Sequence, residues 1–150
     1  MDDPSISCSR LNLSHLEQVL PLVCAFHEEA DITLPPDTRR TAIETLLTKP
    51  QLGSIWGIYQ GQELTGYVAT CPGFSIEIGG MDAFIDELYL IPKARGQGLG
   101  KWILQFIKSQ MRKEGIIALH LIVADSNQRA IDLYEREGFL EWDGFKLRTL

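Results

Sequence analysis

The sequence has few cysteines, few basic residues and no long apolar run. The three cysteines, Cys8, Cys24 and Cys71, are odd in number and widely spaced, which is not the pattern of a disulfide-stabilised domain. The longest nearly apolar stretch, residues 116–124, is far below the roughly 18 residues that a membrane helix needs. Fourteen Lys and Arg against twenty Asp and Glu give a formal net charge of −6. Because phosphate backbones are bound by basic patches, we expect no nucleic-acid partner. Because the apolar stretch is short, we expect no membrane span.

Length and composition predict one domain over residues 1–150. A chain of 150 residues, with 45% hydrophobic and 23% charged residues, has the size and polarity of one globular unit with one core. Residues 1–4 lack the basic and apolar regions of a secretory signal. We therefore expect a cytoplasmic protein, in which the thiols stay reduced.

Two helices are predicted in the first third of the chain. Ser14 followed by Glu17 has the pattern of a capping box, and apolar residues then recur at helical spacing as far as Phe26. Pro21 lies inside this pattern, so a kink or a break is expected near Glu17. The second helix is predicted to begin at residues 35–37 and to end at residues 49–50, where Lys-Pro stops it.

The rest of the chain predicts a mixed sheet covered by helices. Strands are expected over residues 55–59, 64–71 and 83–91, and their short links favour an antiparallel block. An amphipathic helix between Gly100 and Gly115 then leads to a strand over residues 119–124, which should lie parallel to the preceding one. A short helix closed by Gly138 and a hairpin over residues 139–150 complete an α/β, or α+β, arrangement.

A glycine-rich turn, R-G-Q-G-L-G over residues 95–100, lies between a predicted strand and a predicted helix. Free backbone NH groups and the positive end of a helix meet there, which is a geometry that binds phosphate. A P-loop would need glycine in place of Arg95 and Ser or Thr in place of Trp102. A dinucleotide fingerprint would need glycine in place of Lys101, so both of these motifs are excluded.

The same turn matches the Q/R-x-x-G-x-G/A pattern of the GNAT N-acetyltransferase superfamily at Arg95, Gly98 and Gly100. The wider run L-Y-L-x-P-x-x-R-G-x-G-x-G, residues 88–100, resembles that family closely. A second block of the family, N-x-x-A-x-x-x-Y-E-x-x-G-F, follows over residues 127–139. The resemblance covers about residues 54–140. It implies a largely antiparallel sheet with a splayed central parallel pair and helices on both faces.

The resemblance implies that acetyl-CoA is the cosubstrate and that the glycine turn holds its pyrophosphate. The strand before the turn would contact the pantetheine arm at the splayed edge of the sheet. The implied coenzyme-binding residues are Leu88, Leu90, Arg95, Gly96, Gln97, Gly98, Leu99, Gly100, Lys101 and Asn127. Asn127 is also a common helix cap, and the sequence does not separate these two roles.

Acetyl transfer to an amine needs a neutral nitrogen and a proton for the departing thiolate. Asp86 and Glu87 are charged residues inside an otherwise apolar strand, and each is a candidate catalytic base. Successive strand residues face opposite sides of a sheet, so normally only one of Asp86 and Glu87 could face the opening between the splayed strands, unless a bulge intervenes. We favour Glu87 as base or water organiser and keep Asp86 as the alternative; either could instead be a structural carboxylate. The resemblance gives Tyr134 the position of the general acid.

We expect direct attack on the thioester, because no cysteine has a paired histidine in its sequence context. The run His27-Glu28-x-x-Asp31 has Asp where a zinc motif needs a second His, so no metal is predicted. His27 and Glu28, with Phe74 and Glu77 of the segment before the motif strand, are the candidate substrate-binding residues.

The expected acceptor is a small cationic or zwitterionic amine, such as a polyamine, a diamine or an amino-acid side chain. Residues 74–78 and the apolar run before Asn127 resemble, loosely, the diamine and thialysine acetyltransferase group. A protein N-terminal or lysine acetyltransferase, an aminoglycoside-type enzyme and a coenzyme-binding regulatory module without turnover are the alternatives. Frequent pairing in the family, together with the predicted C-terminal hairpin, favours a homodimer.

Overall fold

The structure is a computed structural model that describes residues 5–150. Residues 1–4, on which the expectation about a secretory signal depends, lie outside the described residues. The elements in chain order are β1 (Ile6–Arg10), α1 (Leu16–Glu29), α2 (Pro36–Thr48), β2 (Ser54–Gln60), β3 (Glu63–Ser75), β4 (Gly80–Leu90), α3 (Leu99–Lys113), β5 (Ala118–Leu121) and α4 (Gln128–Arg136). Single 3₁₀ turns, Leu13–His15 and Pro92–Ala94, precede α1 and the glycine turn.

The described strands form one sheet in the order β1-β2-β3-β4-β5. The first three pairings are antiparallel and β4 pairs with β5 in parallel, as expected for two strands joined through a crossover helix. The mixed sheet and the parallel pair predicted from the sequence are therefore confirmed.

Each face of the sheet buries its own apolar cluster. The amphipathic stripe of α3 covers one face through Leu99, Ile103, Leu104, Ile107 and Met111, which meet Trp56, Ile58, Val68, Ala83 and Ile85 of the strands. The stripes of α1 and α2 cover the other face through Leu16, Val19, Val23, Ile43 and Leu47, which meet Ile55, Tyr67 and Tyr89. Helices on both faces are thus confirmed, because α3 packs on one of the two apolar clusters and α1 and α2 pack on the other.

The start of α1 differs from the expected capping box. Asn12 rather than Ser14 is the capping residue, and it caps the 3₁₀ turn that leads into the helix: its side-chain Oδ1 accepts from the Ser14 NH at 2.9 Å, and His15 Nδ1 accepts from the Asn12 NH at 3.0 Å. The N-cap of α1 itself is His15, which makes no side-chain capping bond. The helix then runs unbroken through Pro21. The NH that proline lacks would have bonded to Glu17, in the first helical turn, so the loss of one hydrogen bond there does not end the helix.

The hairpin predicted for residues 139–150 is wrong. A turn exists, because Gly144 has φ +82° and the Phe145 NH donates to the Trp142 carbonyl at 3.2 Å, but no strand is found between residues 139 and 150. Turn chemistry is local and could be recognised, whereas strand pairing needs a partner edge that the turn alone does not supply. The edge strand β1 was not predicted, because Ile6 and Cys8 are its only apolar residues.

Candidate functional site

The parallel strands β4 and β5 are the last two strands of the described sheet rather than a central pair, because no strand of residues 139–150 adds beyond β5, and they separate after Ile85 and Leu121. Their pairing covers Asp82 to Ile85 of β4 against Ala118 to Leu121 of β5, and β5 ends there. β4 continues to Leu90 while pairing only with β3 on its other edge. Residues 86–90 therefore present an unpaired strand edge, and such an edge can bind an extended amide-bearing chain.

A β-bulge in β4 decides which way the acidic residues face. Thr70 of β3 is opposite Ile85, and Ala69 is opposite Glu87, so Asp86 is the extra residue. Ile85 packs in the α3 cluster, and strict alternation would place residue 87 on that same face. With Asp86 inserted, Tyr89 instead packs in the α1–α2 cluster, and Glu87 shares its face.

The carboxylate of Glu87 has two polar partners on the face of the sheet that α1 and α2 cover. The Tyr67 hydroxyl donates to Oε1 at 2.9 Å, and Nε2 of His27 lies 2.6 Å from Oε2. The Glu87 side chain is 17% exposed, so it is partly buried yet reachable. Burial and the negative charge of Glu87 raise the pKa of the Tyr67 phenol, which keeps this hydroxyl protonated and donating.

His27 has a second partner on α2. Arg39 Nε donates to His27 Nδ1 at 3.0 Å, and Arg39 Nη2 donates to the Leu34 carbonyl at 3.2 Å. The His27 ring is buried, with 8% of its side chain exposed. We refer to Glu87, His27, Arg39 and Tyr67 together as the Glu87 cluster; it joins α1, α2, β3 and β4.

The other acidic candidate has a different environment. Asp86 is exposed, and within residues 5–150 it makes no hydrogen bond or ion pair. Burial, with the charges of Asp86 and Glu87 adding to it, raises the pKa of the Cys71 thiol. This thiol is therefore a poorer nucleophile than an ordinary cysteine, which agrees with the expectation of direct attack.

The glycine turn, residues 95–100, has the backbone that phosphate binding needs. Gly96 and Gly98 adopt φ +76° and +80°, a left-handed region that side chains disfavour. Gly98 is the N-cap of α3 without a side-chain cap, and Trp102 is the residue whose NH returns to the Gly98 carbonyl. The NH groups of the three residues before Trp102 consequently have no partner within the helix.

The space in front of this helix end is open. A Cβ added to Gly98 would meet no heavy atom within 4 Å, and one added to Gly96 would meet only Arg129 Nη2 at 3.6 Å. The turn therefore offers unpartnered NH groups, the positive end of α3 and a nearby guanidinium to a ligand. These features fit a pyrophosphate.

Arg95 has a structural role that its motif position did not reveal. Its guanidinium forms a two-pronged ion pair with Glu29 at the end of α1, both distances being 2.8 Å, and its Nε donates to the Leu90 carbonyl at 2.9 Å. The guanidinium also lies 5.4 Å from the Tyr89 ring. Arg95 thus ties the glycine turn to α1.

The remaining candidate coenzyme-binding residues lie in or near the glycine turn, in the first turn of α3 and at the end of β4. Gln97 is directed back along the chain, since its side chain donates to the Lys93 carbonyl at 2.8 Å. Gly100 permits close packing, because a Cβ there would come within 2.8 Å of Leu133 on α4. Leu99 is buried and Lys101 is exposed in the first turn of α3, while Leu88 and Leu90 pack against the α3 cluster.

Tyr134 and Asn127 both belong to α4. Asn127 is the N-cap, and its side chain accepts from the Ala130 NH at 3.3 Å, which shows the capping role that the sequence left open. Tyr134 packs partly buried beside Phe139, with ring centres 6.1 Å apart, and burial raises the pKa of its phenol. Its hydroxyl has no hydrogen-bond partner among the described residues.

The candidate substrate residues do not all come together. His27 contacts Glu87 directly, whereas Glu28 is exposed at the end of α1. Phe74 of β3 is 71% exposed and pairs with Met81 of β4. It lies five positions along β3 from Ala69, the residue that pairs with Glu87. Glu77 is exposed in the turn between β3 and β4, farther still along the hairpin.

Sequence reasoning missed Arg39, Tyr67 and Arg129. Tyr67 carried a weak signal, because its phenol lies in an apolar strand and a buried hydroxyl needs a partner. Arg39 lies in a helix whose exposed positions are polar, and nothing local distinguishes it from its neighbour Arg40. Arg129 follows the recognised Asn127 but falls on a variable position of that motif.

These features coincide with a family match. The model of the Acetyltransferase (GNAT) family matches residues 16–139, and the chain therefore belongs to the GNAT acetyltransferase family. Members of this family are acyltransferases that use acetyl-CoA as the acyl donor.

Curated relatives match a shorter segment. Bovine thialysine N-ε-acetyltransferase is 36% identical over 59 residues, which are 39% of this chain and 35% of that protein. L-ornithine N5-acetyltransferase of Arabidopsis thaliana is 29% identical over 82 residues, 53% of this chain and 36% of that protein. The mycothiol acetyltransferase of Streptosporangium roseum is 39% identical over 62 residues, 39% of this chain and 18% of that protein. The matched segments thus span about a third or less of these relatives.

Solved structures match over nearly the whole chain. An integron cassette protein from the mobile metagenome of Cole Harbour Salt Marsh is 33% identical with a TM-score of 0.83, covering 98% of this chain and 90% of that one. A probable acetyltransferase is 25% identical with a TM-score of 0.85, covering 96% of each chain.

Within residues 5–150, no helix is long and apolar enough to cross a membrane, and no group of three His, Cys, Asp or Glu side chains could hold a metal ion.

Proposed function

We propose that this protein transfers the acetyl group of acetyl-CoA to the primary amine of a small cationic or zwitterionic molecule, such as a polyamine, a diamine or an amino-acid side chain. The observation that carries the proposal is the arrangement of β4, which has a hydrogen-bonded carboxylate at Glu87, an unpaired edge over residues 86–90 and, just beyond its end, a glycine turn at the uncapped start of α3. The relatives named for thialysine and L-ornithine support the acceptor class, because both names describe amino-acid side-chain amines.

The coenzyme is proposed to lie along the unpaired edge of β4. Its pyrophosphate would meet the NH groups of the glycine turn, with Lys101 and Arg129 close enough to add positive charge. Its pantetheine amides would pair with the backbone near Leu88, since the Leu90 carbonyl is already bonded to Arg95. Acetyl-CoA supplies an activated acyl group. The residues of this chain orient that group, accept a proton from the ammonium and donate to the departing sulfur.

The proposed transfer is a direct displacement. The amine must first lose a proton from its ammonium form, and Glu87 accepts this proton either directly or through a water molecule. The nitrogen lone pair then forms a bond to the acetyl carbon while the carbon–sulfur bond breaks and its electrons go to sulfur. The second proton of the amine leaves after attack, and the departing thiolate takes one proton, so the charges balance.

We propose that Tyr134 donates to this departing sulfur. Its hydroxyl has no partner among residues 5–150, and its raised pKa keeps it protonated at neutral pH. A free thiol has a pKa of about 8.5, so complete transfer of the phenol proton is uphill. The phenol therefore acts chiefly by donating a strong hydrogen bond while charge develops on sulfur, and water returns any proton that is lost.

A coenzyme-release screen tests the function. The purified protein is mixed with acetyl-CoA and with polyamines, diamines, free amino acids, aminoglycosides and peptides with free N-termini or lysines. We expect release of the thiol with the first three classes. Turnover confined to peptides would make the protein a protein acetyltransferase, and confinement to aminoglycosides would move it to that class. Binding of acetyl-CoA without release for any amine would leave a regulatory module.

The oligomeric state and the cellular location remain expectations. We propose a homodimer on the grounds of the family alone, because the described C-terminal residues do not form the hairpin on which the sequence argument also relied. Light scattering that gives only the monomer mass throughout the micromolar range would contradict the dimer. A cytoplasmic location is also proposed, and its ground is the composition of the sequence.

A further inference from the structure

The Glu87 cluster contains two hydrogen bonds that together define the protonation of one ring. Arg39 Nε carries a hydrogen at every accessible pH, and it lies 3.0 Å from His27 Nδ1 with the geometry of a donor. Nδ1 must then be the acceptor and carry no hydrogen. A neutral imidazole has one NH, so the proton is assigned to Nε2, which lies 2.6 Å from Glu87 Oε2.

We propose that Arg39 and His27 are positioning residues for the Glu87 carboxylate: Arg39 fixes the tautomer of His27, and His27 then donates its Nε2 proton to Glu87. This inference rests on the proposed role of Glu87 in deprotonating the amine. It adds two residues on α1 and α2 to a site that the motifs place on β4 and α3–α4.

The two hydrogen bonds fix the orientation of the Glu87 carboxylate and leave part of its hydrogen-bonding capacity free. One donor reaches each oxygen, His27 at Oε2 and Tyr67 at Oε1, so the plane of the carboxylate cannot rotate without losing a bond. A carboxylate has about four lone-pair sites, and two remain for a water molecule or the substrate ammonium. Glu87 follows a bulge in β4, where the backbone alone constrains the side chain less than a regular strand does.

His27 is a positioning residue rather than a second base. Its Nδ1 is occupied by a cation and its Nε2 carries the proton given to Glu87, so neither nitrogen is free to accept a proton from the substrate. The other groups that face the ring are Arg39 from α2, Glu87 from β4 and the Phe26 ring, 5.8 Å away on α1. The Arg39 Nη1 also lies 3.9 Å from Cys24 Sγ, which holds the guanidinium against α1.

The tautomer can be measured without any activity. In protein labelled with nitrogen-15, the couplings between ring protons and ring nitrogens should show His27 protonated on Nε2 alone. In Arg39→Met, where Nδ1 loses its donor, the same signals should show a mixture with Nδ1 protonated. His15 is an internal reference because its Nδ1 accepts from the Asn12 NH, which this substitution does not touch. Signals of His27 that are identical in both proteins would overturn the proposal.

Kinetics then test whether the tautomer matters. A glutamine amide can occupy the place of Nε2 and donate to Glu87, whereas the shorter asparagine amide lies near the place of Nδ1. We expect kcat of His27→Gln within about threefold of the parent and kcat of His27→Asn lower by roughly tenfold to 100-fold, with acetyl-CoA affinity unchanged in both. Equal losses in the two variants would contradict a donor role for His27.

A double-mutant cycle separates positioning from a purely structural role of Arg39. Arg39→Met should lower kcat by roughly tenfold or more in the parent but by little in the His27→Gln background, because glutamine has no tautomer to fix. Equal losses in both backgrounds would make Arg39 only a link between α2 and residue 34. The matched control is Arg40→Met, which removes the adjacent guanidinium and its ion pairs with Glu17 and Glu44 without touching His27.

Failure of this inference and failure of the proposed function give different results. If Glu87 takes no part in proton removal, Glu87→Gln leaves turnover unchanged while the nitrogen signals of His27 still report one tautomer. If the positioning idea is wrong, the signals or the cycle contradict it even though Glu87→Gln remains inactive.

Discussion

The glycine turn takes its six residues from one continuous stretch, residues 95–100, whereas the Glu87 cluster takes its four side chains from α1, α2, β3 and β4. The turn works through backbone groups whose geometry is set by two positive φ angles at one helix end. The cluster works through side chains separated by up to 60 positions in sequence. A site built from backbone can therefore be recognised in sequence, while one built from side chains has to be seen folded.

The largest expected effect concerns the cluster. Glu87→Gln keeps the size of the side chain but removes the carboxylate that we propose as the acceptor of the ammonium proton. We expect turnover to fall by about 100-fold or more, with loss of the acidic limb from the pH profile of kcat. Acetyl-CoA affinity should not change, because the glycine turn is intact. Steady-state kinetics with the best amine, extended down to about pH 4 so that the range of ordinary carboxyl groups is included, measure turnover and its pH profile.

Asp86→Asn is the matched substitution at the neighbouring position. Asp86 is exposed and has no partner within the described residues, so we expect turnover and the pH profile to stay as in the parent. If Asp86→Asn loses the acidic limb and Glu87→Gln keeps it, the two roles must be exchanged. If neither variant alters the profile, the ammonium loses its proton to bulk water before binding.

The second effect concerns α4, which lies beside the glycine turn through Arg129 and Leu133. Tyr134→Phe removes one hydroxyl and little packing volume, so coenzyme binding and the thermal midpoint should persist. Turnover should fall by roughly 100-fold, the usual range for loss of an acid that acts in the transition state. Calorimetric titration gives the affinity and initial rates give kcat. A loss under about threefold would reject Tyr134 as the group that assists departure of the thiolate.

The third effect isolates the glycine turn. Acetyl-CoA at about 100 times its Kd should stabilise the parent by about 2.7 kcal/mol, which raises the thermal midpoint by several degrees. Gly98→Val puts a branched side chain into the open space where the phosphate is expected and should abolish this shift. The midpoint without ligand will also fall, because valine is strained at φ +80°.

Gly115→Val provides the control for that strain. Gly115 follows the other end of α3, also has φ +80°, and a Cβ there would likewise meet nothing within 4 Å. Its variant should lose a similar amount of intrinsic stability yet keep the full acetyl-CoA shift. A Gly98→Val protein that retains the shift would mean that the turn does not bind the coenzyme.

The smallest effect concerns the ion pair that connects the two regions. Arg95 hydrogen-bonds to Glu29 and lowers the pKa of that carboxyl. A depressed folded pKa stabilises the fold above the ordinary range near 4.3 and loses this contribution as the pH falls through the lower folded value. Since half of the Glu29 side chain is exposed, Glu29→Gln should lower the midpoint at pH 7 by no more than about 2 °C.

Thermal scans at several pH values check this last expectation. The difference between Glu29→Gln and the parent should shrink once the pH is below the range of ordinary carboxyl groups. A difference that is as large at pH 3 as at pH 7 would show that Glu29 contributes through packing and not through its charge.

The sequence by itself determined most of the secondary structure, the mixed sheet and the glycine turn. Periodicity, proline and glycine are local signals, and they located α2, the β2–β3–β4 block and α3 to within a few residues. They failed where a structure depends on a distant partner, as for the edge strand β1 and for the strands expected between residues 139 and 150.

Only the tertiary structure decided which way the acidic residues face and what they contact. The sequence left Asp86 and Glu87 as alternatives, since a one-residue bulge cannot be read from the strand pattern, yet that bulge turns Glu87 towards α1 and α2. His27 is found against Glu87, because α1 and α2 pack on the face that Glu87 shares, while its predicted part in substrate binding stays a prediction. Arg39 had no distinguishing pattern at all. Backbone chemistry is encoded within a few residues, whereas the meeting of side chains from four elements exists only after the sheet and helices have packed.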